Sequence, residues 1–277
     1  MKKLEKRIEQ IRSLDLFSCP KCREALKVDG KSLKCSNHHT YDFSKKGTVN
    51  FVLGYGEENY GMEMLEARQS ISRAGLFDGI LDSLLGEIRA SGKRNVRILD
   101  AGCGDGSQLE YLADALKREG IESSLIGIDI SKDGIAIAGR SDSDILFMVA
   151  DLSGLPFKDG SFDFVLNVFS PSNYKEFRRV LTDDGILLKV VPERDYLIEL
   201  REAFSLKDYS NEEIVRHMEE NMKVLKRSRV SYRFPIGNQK DNLLKMTPML
   251  WGKEPAQEVA LGDEITVSVS VFSLSSG

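Results

Sequence analysis

The sequence is poor in proline, histidine and tryptophan and contains no long hydrophobic run. Of 277 residues, 7 are proline, 3 are histidine and 1 is tryptophan, whereas 30% are charged. This usage is that of a globular chain and excludes collagen-like and low-complexity proteins. The longest apolar stretches, at 186–191 and 267–274, are much shorter than the roughly 20 residues that a membrane span needs. We therefore expect one or two globular cores and no membrane contact.

Cysteine is also scarce, and its distribution is uneven. Cys19, Cys22 and Cys35 lie close together, and Cys103 stands alone in a glycine-rich stretch. The first residues, MKKLEKRIEQIRSLDLF, carry charges where an export signal needs an apolar segment, so we expect a cytoplasmic protein. In a reducing compartment, an odd cluster of three cysteines predicts a metal site rather than disulfides.

The net charge of -4 conceals an uneven distribution of charge along the chain. Residues 1–50 carry twelve Lys or Arg against six Asp or Glu, and the rest of the chain is acidic. A basic end joined to an acidic body suggests that the small end meets a polyanion. Within it, four lysines are candidates for phosphate contacts: Lys31, Lys34, Lys45 and Lys46.

Hydrophobic periodicity divides the chain into four predicted parts. They are an amphipathic helix over 1–16, a metal-binding module at 17–54, a helical connector at 55–92 and an α/β domain over 93–277. In the last part, strand and helix patterns alternate, which predicts a parallel, doubly wound sheet. The terminal segment EITVSVSVFSL alternates strictly, so we expect a half-exposed antiparallel strand at the sheet edge.

The cysteine cluster has the spacing of a zinc site. CPKC at 19–22 is followed after twelve residues by CSNHH at 35–39. Three thiolates and one imidazole form a tetrahedral shell that suits zinc and leaves no open position, so the site would be structural. Of the two histidines we favour His39, with His38 turned outward. The alternative interpretations are reduced thiols without metal or a redox-active CxxC pair.

A second motif predicts a nucleotide-like ligand. The loop LDAGCGDG at 99–106 follows a strand and opens a helix, and its glycines permit close approach of a ligand to the backbone. Acidic residues end the first three strands of this domain, where open α/β sheets bind ligands. The candidate cofactor-binding residues are Asp100, Gly102, Gly104, Asp105, Gly106, Asp129, Ile130, Asp151 and Leu152.

The glycine loop, together with acids after the second and third strands, resembles the class I S-adenosylmethionine-dependent methyltransferases. That resemblance implies a seven-stranded doubly wound sheet with the last strand antiparallel, and S-adenosylmethionine as cofactor. Cys103 is then a small filler in the loop. No phosphate-binding GxxxxGK[ST] loop is present, which argues against a nucleoside triphosphate.

Several further segments resemble a narrower family, the bacterial large-subunit ribosomal RNA guanine-N1 methyltransferases of the RlmA type. They are CPKC, CSNHHTYDFSKKGTVNF, EMLEARQSISRAGLF, LPFKDGSFD, FSP at 169–171 and KMTPMLW at 245–251. The resemblance implies that Cys19, Cys22, Cys35 and His39 bind zinc in a small zinc-ribbon-like domain that helps to recognise a ribosomal RNA hairpin. It also implies the capacity to form a homodimer.

The same resemblance brings two aromatic residues to the cofactor, with departures from the family pattern. Phe77 stands where the family has tyrosine, and Tyr196 stands where it has histidine. We also expect Asn167, beside Phe169 after the fourth strand, to line the ligand site. Trp251 is a candidate for stacking on the target base, and the sequence identifies no general base.

Two other functions fit parts of this pattern. The chain could be a class I methyltransferase of a small molecule or a protein, with the zinc module as a lid or docking element. It could also be a regulator that binds the cofactor without transferring a methyl group. Intact Asp100, Gly104 and Asp129 argue against the regulator.

Overall fold

A computed structural model of the protein describes residues 2–52, 61–250 and 262–277. Within these ranges no helix is both long and apolar enough to cross a membrane. The described α-helices are α1 Lys3–Leu14, α2 Met62–Arg73, α3 Asp78–Ala90, α4 Ser107–Arg118, α5 Lys132–Ala138, α6 Tyr174–Val180, α7 Ile198–Ala203, α8 Glu212–Asn221 and α9 Lys240–Lys245.

The strands form a small sheet and a large one. The small sheet consists of β1 Lys27–Asp29, β2 Ser32–Lys34 and β3 Thr40–Asp42. The strands of the large sheet, in chain order, are β4 Val49–Asn50, β5 Asn95–Ala101, β6 Glu122–Asp129, β7 Leu146–Val149, β8 Phe162–Val168, β9 Leu181–Pro192, β10 Lys223–Pro235 and β11 Glu264–Ser275. Their spatial order is β10-β11-β9-β8-β5-β6-β7-β4.

The centre of the large sheet is parallel and buried, as the alternation of strand and helix segments along the sequence predicts. Strands β5 to β9 pair in parallel, and β7 is buried along its whole length. Helices cover both faces, so these strands are runs of apolar residues rather than alternating ones. Their carboxyl ends therefore open along one edge, where the polar residues that follow β5, β6 and β7 are brought together.

Two features of the sheet differ from the sequence prediction. The terminal strand β11 is antiparallel, as expected, but it lies between β9 and β10 and is almost entirely buried. Its alternation of Val with Ser is compatible with burial because three of its serines, Ser268, Ser270 and Ser273, are themselves buried. The exposed edge is β10, whose alternating charged residues suit a solvent-facing border. The other difference is the number of strands. The sheet has eight strands and not the expected seven, because β4 also pairs with β7.

The cysteine-rich module is small and rests on the α/β domain. Gly30 and Lys31 form the hairpin turn between β1, which ends at Asp29, and β2. Phe17 packs against Phe157 with ring centroids 5.5 Å apart, and the amide of Ser18 donates to the carbonyl of Pro156 at 3.1 Å. The module thus shares a hydrophobic core with one face of the large sheet.

Two basic side chains of helix α1 donate hydrogen bonds to the loop between α5 and β7. Lys3 donates to the carbonyls of Gly139 and Ser141, and Arg7 donates to the carbonyl of Ser143. The stem of Arg7 also packs over Gly47, where an added Cβ would lie 2.5 Å from Arg7 Cγ. Helix α1 therefore fastens the basic end of the chain to the sheet edge.

The predicted helical connector contains two helices, which are separated at Gly75. Helices α2 and α3 flank this residue, whose φ of +97° is the left-handed conformation that glycine adopts at low cost. The predicted boundary at residue 54 and the candidate Trp251 lie outside the described residues.

Candidate functional site

A cavity of about 660 Å³ opens at the carboxyl ends of the parallel strands. Its walls come from the loops after β5 to β9, from helix α2 and from the segment after α9. It is large enough for a nucleoside-sized ligand, and such sites are usually apolar with a few polar groups. Of the predicted cofactor residues, the lining includes Phe77, Gly102, Gly104, Asp129, Ile130, Asp151, Leu152 and Tyr196.

The glycine loop bends sharply beneath this cavity. The amides of Gly102 and Cys103 both donate to the carbonyl of Ile128 at 2.9 Å, so β5 and β6 stay joined as the chain turns. Gly102 has a φ of +98°, and an added Cβ would lie 2.1 Å from the hydroxyl oxygen of Ser170. Any larger residue at this position would strain the backbone and displace the loop that carries Ser170.

Asp129 supports the loop from the next strand. One carboxylate oxygen accepts from the amide of Gly104 at 2.8 Å, and the other accepts from the amide of Ser131 at 2.9 Å. The side chain lines the cavity and is only partly buried. A carboxylate fixed in this way can still accept hydrogen bonds from a ligand's hydroxyl groups.

Two other predicted acids, Asp100 and Asp105, are buried under the loop and do not line the cavity. Asp105 accepts from the amide of Ser107 at 3.0 Å, an Asx-type turn just before α4. Burial, together with the negative charge of Asp129, raises the pKa of Asp100 to about 7. A ligand that brings positive charge would stabilise the ionised carboxylate.

The acidic residue after β7 is exposed at the other end of the cavity. Asp151 accepts from the amide of Ser153 at 2.8 Å, and Leu152 lies beside it on the wall. Across from them, Ile130 is 60% exposed, unusually high for isoleucine. An exposed apolar side chain in a binding cavity is typical of a surface that a flat ligand ring covers.

Three aromatic rings form a row along the cavity wall. The Phe77 and Phe169 centroids are 6.0 Å apart, and those of Phe169 and Tyr196 are 5.2 Å apart. Burial raises the pKa of Tyr196 to about 12, so its hydroxyl stays protonated and can donate a hydrogen bond. The structure thus brings together the two residues that depart from the family pattern.

Asn167 does not line the cavity, contrary to the prediction. Its side chain is fully buried and donates to the carbonyls of Ala101 at 2.9 Å and Pro171 at 3.0 Å. The reason is strand geometry, because side chains alternate between faces and Asn167 points into the layer beneath the loop. It therefore supports the FSP segment from below.

Sequence reasoning missed two groups of lining residues. Arg68 on α2 lies in EMLEAR, and Met246, Thr247, Pro248 and Met249 lie in KMTPMLW. Both segments are among those that resemble the RlmA family, yet neither follows a strand of the sheet. The strand-end rule identifies only residues at the sheet edge. The sequence signal that could have indicated these lining residues was therefore their place in the two family motifs.

The cysteine cluster forms the predicted four-residue group. The ligand atoms of Cys19, Cys22, Cys35 and His39 all lie within 4.8 Å of one another. The Nδ1 atom of His39 is 3.4 Å from the sulfur atoms of both Cys19 and Cys35. These distances fit the edges of a tetrahedral zinc site, for which Zn–S bonds are about 2.3 Å. The three thiolates and the imidazole would hold a structural zinc ion and link the two turns of the module.

The structure selects His39 over His38 for this group. His38 is exposed, adopts a φ of +62° and does not belong to the four-residue group. Tyr41 lies behind the cluster, with its hydroxyl 3.4 Å from the Cys19 sulfur. Such outer contacts orient the ligands of a metal.

This choice of histidine gives a direct prediction. The His39→Ala variant is expected to bind zinc at least tenfold more weakly, because three thiolates remain and a tetrahedral position is lost. The His38→Ala variant is expected to retain one zinc per chain. Zinc content measured after dialysis against a weak chelator checks both, and retention by His39→Ala with loss by His38→Ala would contradict the assignment.

The zinc module also contacts the loop that carries Asp151. Arg23, next to Cys22, donates to the carbonyl of Leu155 at 3.0 Å and to Glu176 at 3.1 Å. Glu176 is 4% exposed and accepts from the amide of Leu155 at 2.8 Å. Although burial opposes it, pairing with Arg179 and the Leu155 amide holds the pKa of Glu176 below its usual value. These contacts therefore connect the folding of the zinc module to the position of the cavity wall.

The lysines proposed for phosphate contacts all lie on the surface of the module. Lys34 pairs with Asp29 at 2.7 Å, and both side chains are exposed. Lys31, Lys45 and Lys46 are also exposed. These residues give the zinc module a basic surface.

Two family models match the chain. The model described as RlmA, N-terminal, a zinc ribbon, matches residues 17–52, and the model described as a methyltransferase domain matches residues 98–185. These matches include the zinc cluster and the glycine loop with the acids after β6 and β7. They confirm the class I S-adenosylmethionine methyltransferase fold with an N-terminal zinc ribbon.

Relatives extend over nearly the whole chain. A Bacillus subtilis (strain 168) protein, provisionally named 23S rRNA (guanine-N(1)-)-methyltransferase YxjB, is 40% identical and covers 93% of this chain and 96% of its own. A Streptomyces fradiae protein named 23S rRNA (guanine(748)-N(1))-methyltransferase is 27% identical and covers 91% and 94%. Among solved structures, an Aquifex aeolicus S-adenosylmethionine-dependent methyltransferase covers 78% of this chain and 99% of its own, with a TM-score of 0.52 at 16% identity.

Proposed function

This chain belongs to the RlmA-type family of 23S rRNA guanine-N1 methyltransferases, and we propose that it methylates N1 of a guanosine in a hairpin loop of large-subunit ribosomal RNA. The observation that carries the proposal is a zinc ribbon of the RlmA type, fixed by Arg23 to the loop that walls a methyltransferase cavity. The ribbon's exposed lysines suit a polyanion. Since ribosomal RNA is the substrate, we infer that the enzyme acts in the cytoplasm.

The cavity has the groups that an adenosine moiety requires. Asp129 suits hydrogen bonds from ribose hydroxyls, because it lines the cavity while the amides of Gly104 and Ser131 hold its carboxylate. Asp151 is placed to accept from an adenine amino group, with Ile130 and Leu152 as apolar contacts for the ring. When bound, S-adenosylmethionine supplies a methyl group already activated by its sulfonium.

We assign the amino-acid end of the cofactor to Arg68. Its guanidinium lies on the cavity wall, 5.8 Å from the centroid of Phe77. Its positive charge lowers the pKa of both Asp100 and Tyr196, against the larger effect of burial, so it is close to both. Among described residues it has no ion-pair or hydrogen-bond partner. A cation so placed would bind a carboxylate of the ligand.

This assignment predicts a selective loss of affinity. The Arg68→Ala variant is expected to bind S-adenosylmethionine about tenfold or more weakly, because a charge-assisted hydrogen bond is worth about 1.5–3 kcal/mol. It should bind 5′-methylthioadenosine, which lacks the amino-acid moiety, as well as the wild type does. Isothermal titration calorimetry measures both affinities.

The matched control for this prediction is Arg73→Ala. Arg73 lies one and a half turns further along α2 and pairs with Glu110 on the surface, at 3.6 Å. That variant should leave both affinities unchanged. Equal weakening of the two ligands by Arg68→Ala would show that Arg68 does not bind the carboxylate.

The target base must reach the cavity outside a duplex. Guanine N1 lies on the pairing edge and carries a proton, so methylation requires an unpaired or flipped base and removal of that proton. The aromatic row offers a face for stacking, which is worth about 1–3 kcal/mol per base in single-stranded recognition. Holding N1 and the methyl group in line would supply much of the acceleration.

Primer extension on 23S ribosomal RNA tests the proposed function. A methyl group on N1 blocks pairing and stops reverse transcriptase, so one new stop at a loop guanosine is expected after incubation with enzyme and S-adenosylmethionine. The Gly104→Arg variant, whose side chain would enter the cavity, should give no stop. Absence of a stop with wild-type enzyme, on naked RNA and on immature subunits, would instead favour a small-molecule or protein substrate.

The homodimer implied by the family resemblance stays a prediction. Sedimentation of the wild-type protein with and without an RNA hairpin would test it.

A further inference from the structure

Lys189 is a buried cation that the proposed reaction does not use. It lies on β9, opposite Asn167 of β8, and is 4% exposed. Burial lowers its pKa to about 8, so at neutral pH it is still mostly protonated. Among the described residues no carboxylate pairs with it, and burial alone shifts its pKa. A buried ammonium without a counter-ion is costly, and only its hydrogen-bond acceptors compensate for it.

These acceptors belong to the FSP segment and to the residue beneath it. The ammonium donates to the carbonyl of Ser170 at 2.8 Å and to Oδ1 of Asn167 at 2.5 Å. Asn167 in turn donates to the carbonyl of Pro171 at 3.0 Å. Two consecutive carbonyls of the segment are therefore held from below by a connected polar network.

The residue just before these carbonyls has an unfavourable backbone conformation. Phe169 has a φ of +53°, the left-handed region that bulky residues rarely occupy. Its ring lies between Phe77 and Tyr196 on the cavity wall. A strained residue of this kind persists only where its surroundings hold it, and such residues cluster at functional sites.

We propose that Lys189 is a positioning residue for the target base: its ammonium holds the Ser170 carbonyl and so keeps Phe169 in the left-handed conformation in which its ring can stack on guanine. This inference rests on the proposed methylation of ribosomal RNA. Lys189 itself touches neither ligand, because it lies beneath the loop and does not line the cavity. Its effect is therefore expected on RNA methylation and not on cofactor binding.

The test compares Lys189→Met with Leu187→Ala. Methionine retains most of the length of lysine and removes the ammonium, so the gain from no longer burying an unpaired charge opposes the loss of the donor to Ser170 and Asn167, and we expect Tm to change by only a few degrees. We expect the variant to lower kcat for RNA methylation at least tenfold while the Kd for S-adenosylmethionine stays within twofold. Leu187 is buried on the same strand, and its truncation should lower Tm but leave kcat unchanged.

A second variant covers the case in which Lys189→Met fails to fold. Phe169→Ala removes the ring and should reduce kcat to a similar extent, because base and ring could no longer stack. Where both single variants fold, the double variant should lose little more than either one, since both act on the same contact. A Lys189→Met enzyme with kcat within twofold of the wild type, or multiplicative losses in the double variant, would overturn the proposal. Normal methylation by Phe169→Ala would overturn it as well.

A crystal structure of the Lys189→Met variant separates this proposal from the proposed function. The expected result is that Phe169 leaves the left-handed region, whatever the substrate of the enzyme. Retention of a φ near +53° would overturn the role of Lys189 even if the wild type methylates RNA. Conversely, a wild-type enzyme that does not methylate RNA would refute both the proposed function and the stacking role of Phe169. The φ of Phe169 in the Lys189→Met structure would still show whether Lys189 holds the loop.

Discussion

Replacement of Cys35 with serine is expected to abolish zinc binding and to unfold the zinc ribbon. The ribbon has three strands of three residues each, and its buried side chains join the core of the α/β domain instead of forming a core of their own, so we expect the metal to supply much of its stability. Structural zinc contributes on the order of 10 kcal/mol in isolated zinc modules. Amide hydrogen exchange over residues 17–52 should accelerate by several orders of magnitude, while helices α3 and α4 stay protected.

The loss of zinc should also weaken cofactor binding in the cavity. Arg23 would no longer be held against Leu155 and Glu176, so the wall that carries Asp151 and Leu152 would lose one of its supports. A severalfold weaker affinity for S-adenosylmethionine is expected by calorimetry. The control is Cys103→Ser, which changes the cysteine outside the cluster and should leave one zinc per chain. Unchanged exchange over 17–52 in metal-free Cys35→Ser protein would show that the ribbon folds without zinc.

The Asp100→Asn variant is expected to change stability and cofactor affinity in opposite directions. Because burial raises the pKa of Asp100 to about 7, the folded state retains a proton that the unfolded state releases near pH 4. Stability from this group is therefore present at low pH and lost as pH rises from about 4 to about 7. A shift of about three pKa units corresponds to about 4 kcal/mol at most at pH 8.

Asparagine keeps the shape of the side chain and removes the charge. We expect the ligand-free variant to unfold at a higher temperature than wild type at pH 8, by several degrees, and to show no such difference at pH 4. The affinity for S-adenosylmethionine should fall about tenfold, because the cofactor's positive charge would no longer meet an ionised Asp100. Thermal unfolding at the two pH values and calorimetry at pH 8 provide the measurements.

The control for this variant is Asp114→Asn, an equal change of charge on the exposed face of α4. It should alter neither the pH dependence of Tm nor the affinity. If Asp100→Asn were less stable than the wild type at pH 8, the carboxylate would be stabilising and the raised pKa would be wrong. A gain in stability without loss of affinity would instead separate Asp100 from cofactor binding.

The zinc ligands and the glycine loop could be predicted from sequence because both depend on local spacing. Cys19 and Cys22 are separated by two residues on one turn, and a short hairpin brings Cys35 and His39 to them. Similarly, Asp129 is the last residue of β6, so the strand-end rule places it beside Gly104 once the sheet is recognised. The structure also agrees with the choice of His39 over His38, because His38 is the more exposed of the two side chains.

Residues far apart in the chain were harder to place. Asn167 was expected at the ligand, but strand alternation turned it under the loop to meet Lys189. Arg68 reaches the cavity from a helix that precedes the central strands β5 to β9, and no strand-end rule indicates it. The final strand β11 resembled an exposed edge, because the sequence cannot show that β10 pairs along its outer side.

The sequence by itself therefore determined the α/β class, the zinc set and the loop that faces the cofactor, since these follow from the periodicity and spacing of nearby residues. Only the tertiary structure decided which side chains share the cavity, how the ribbon is fastened to its wall and what lies beneath Phe169. The physical reason is that such contacts join segments over a hundred residues apart, such as Arg23 with Glu176. Their meeting depends on the packing of the whole sheet and its helices, which local patterns do not specify.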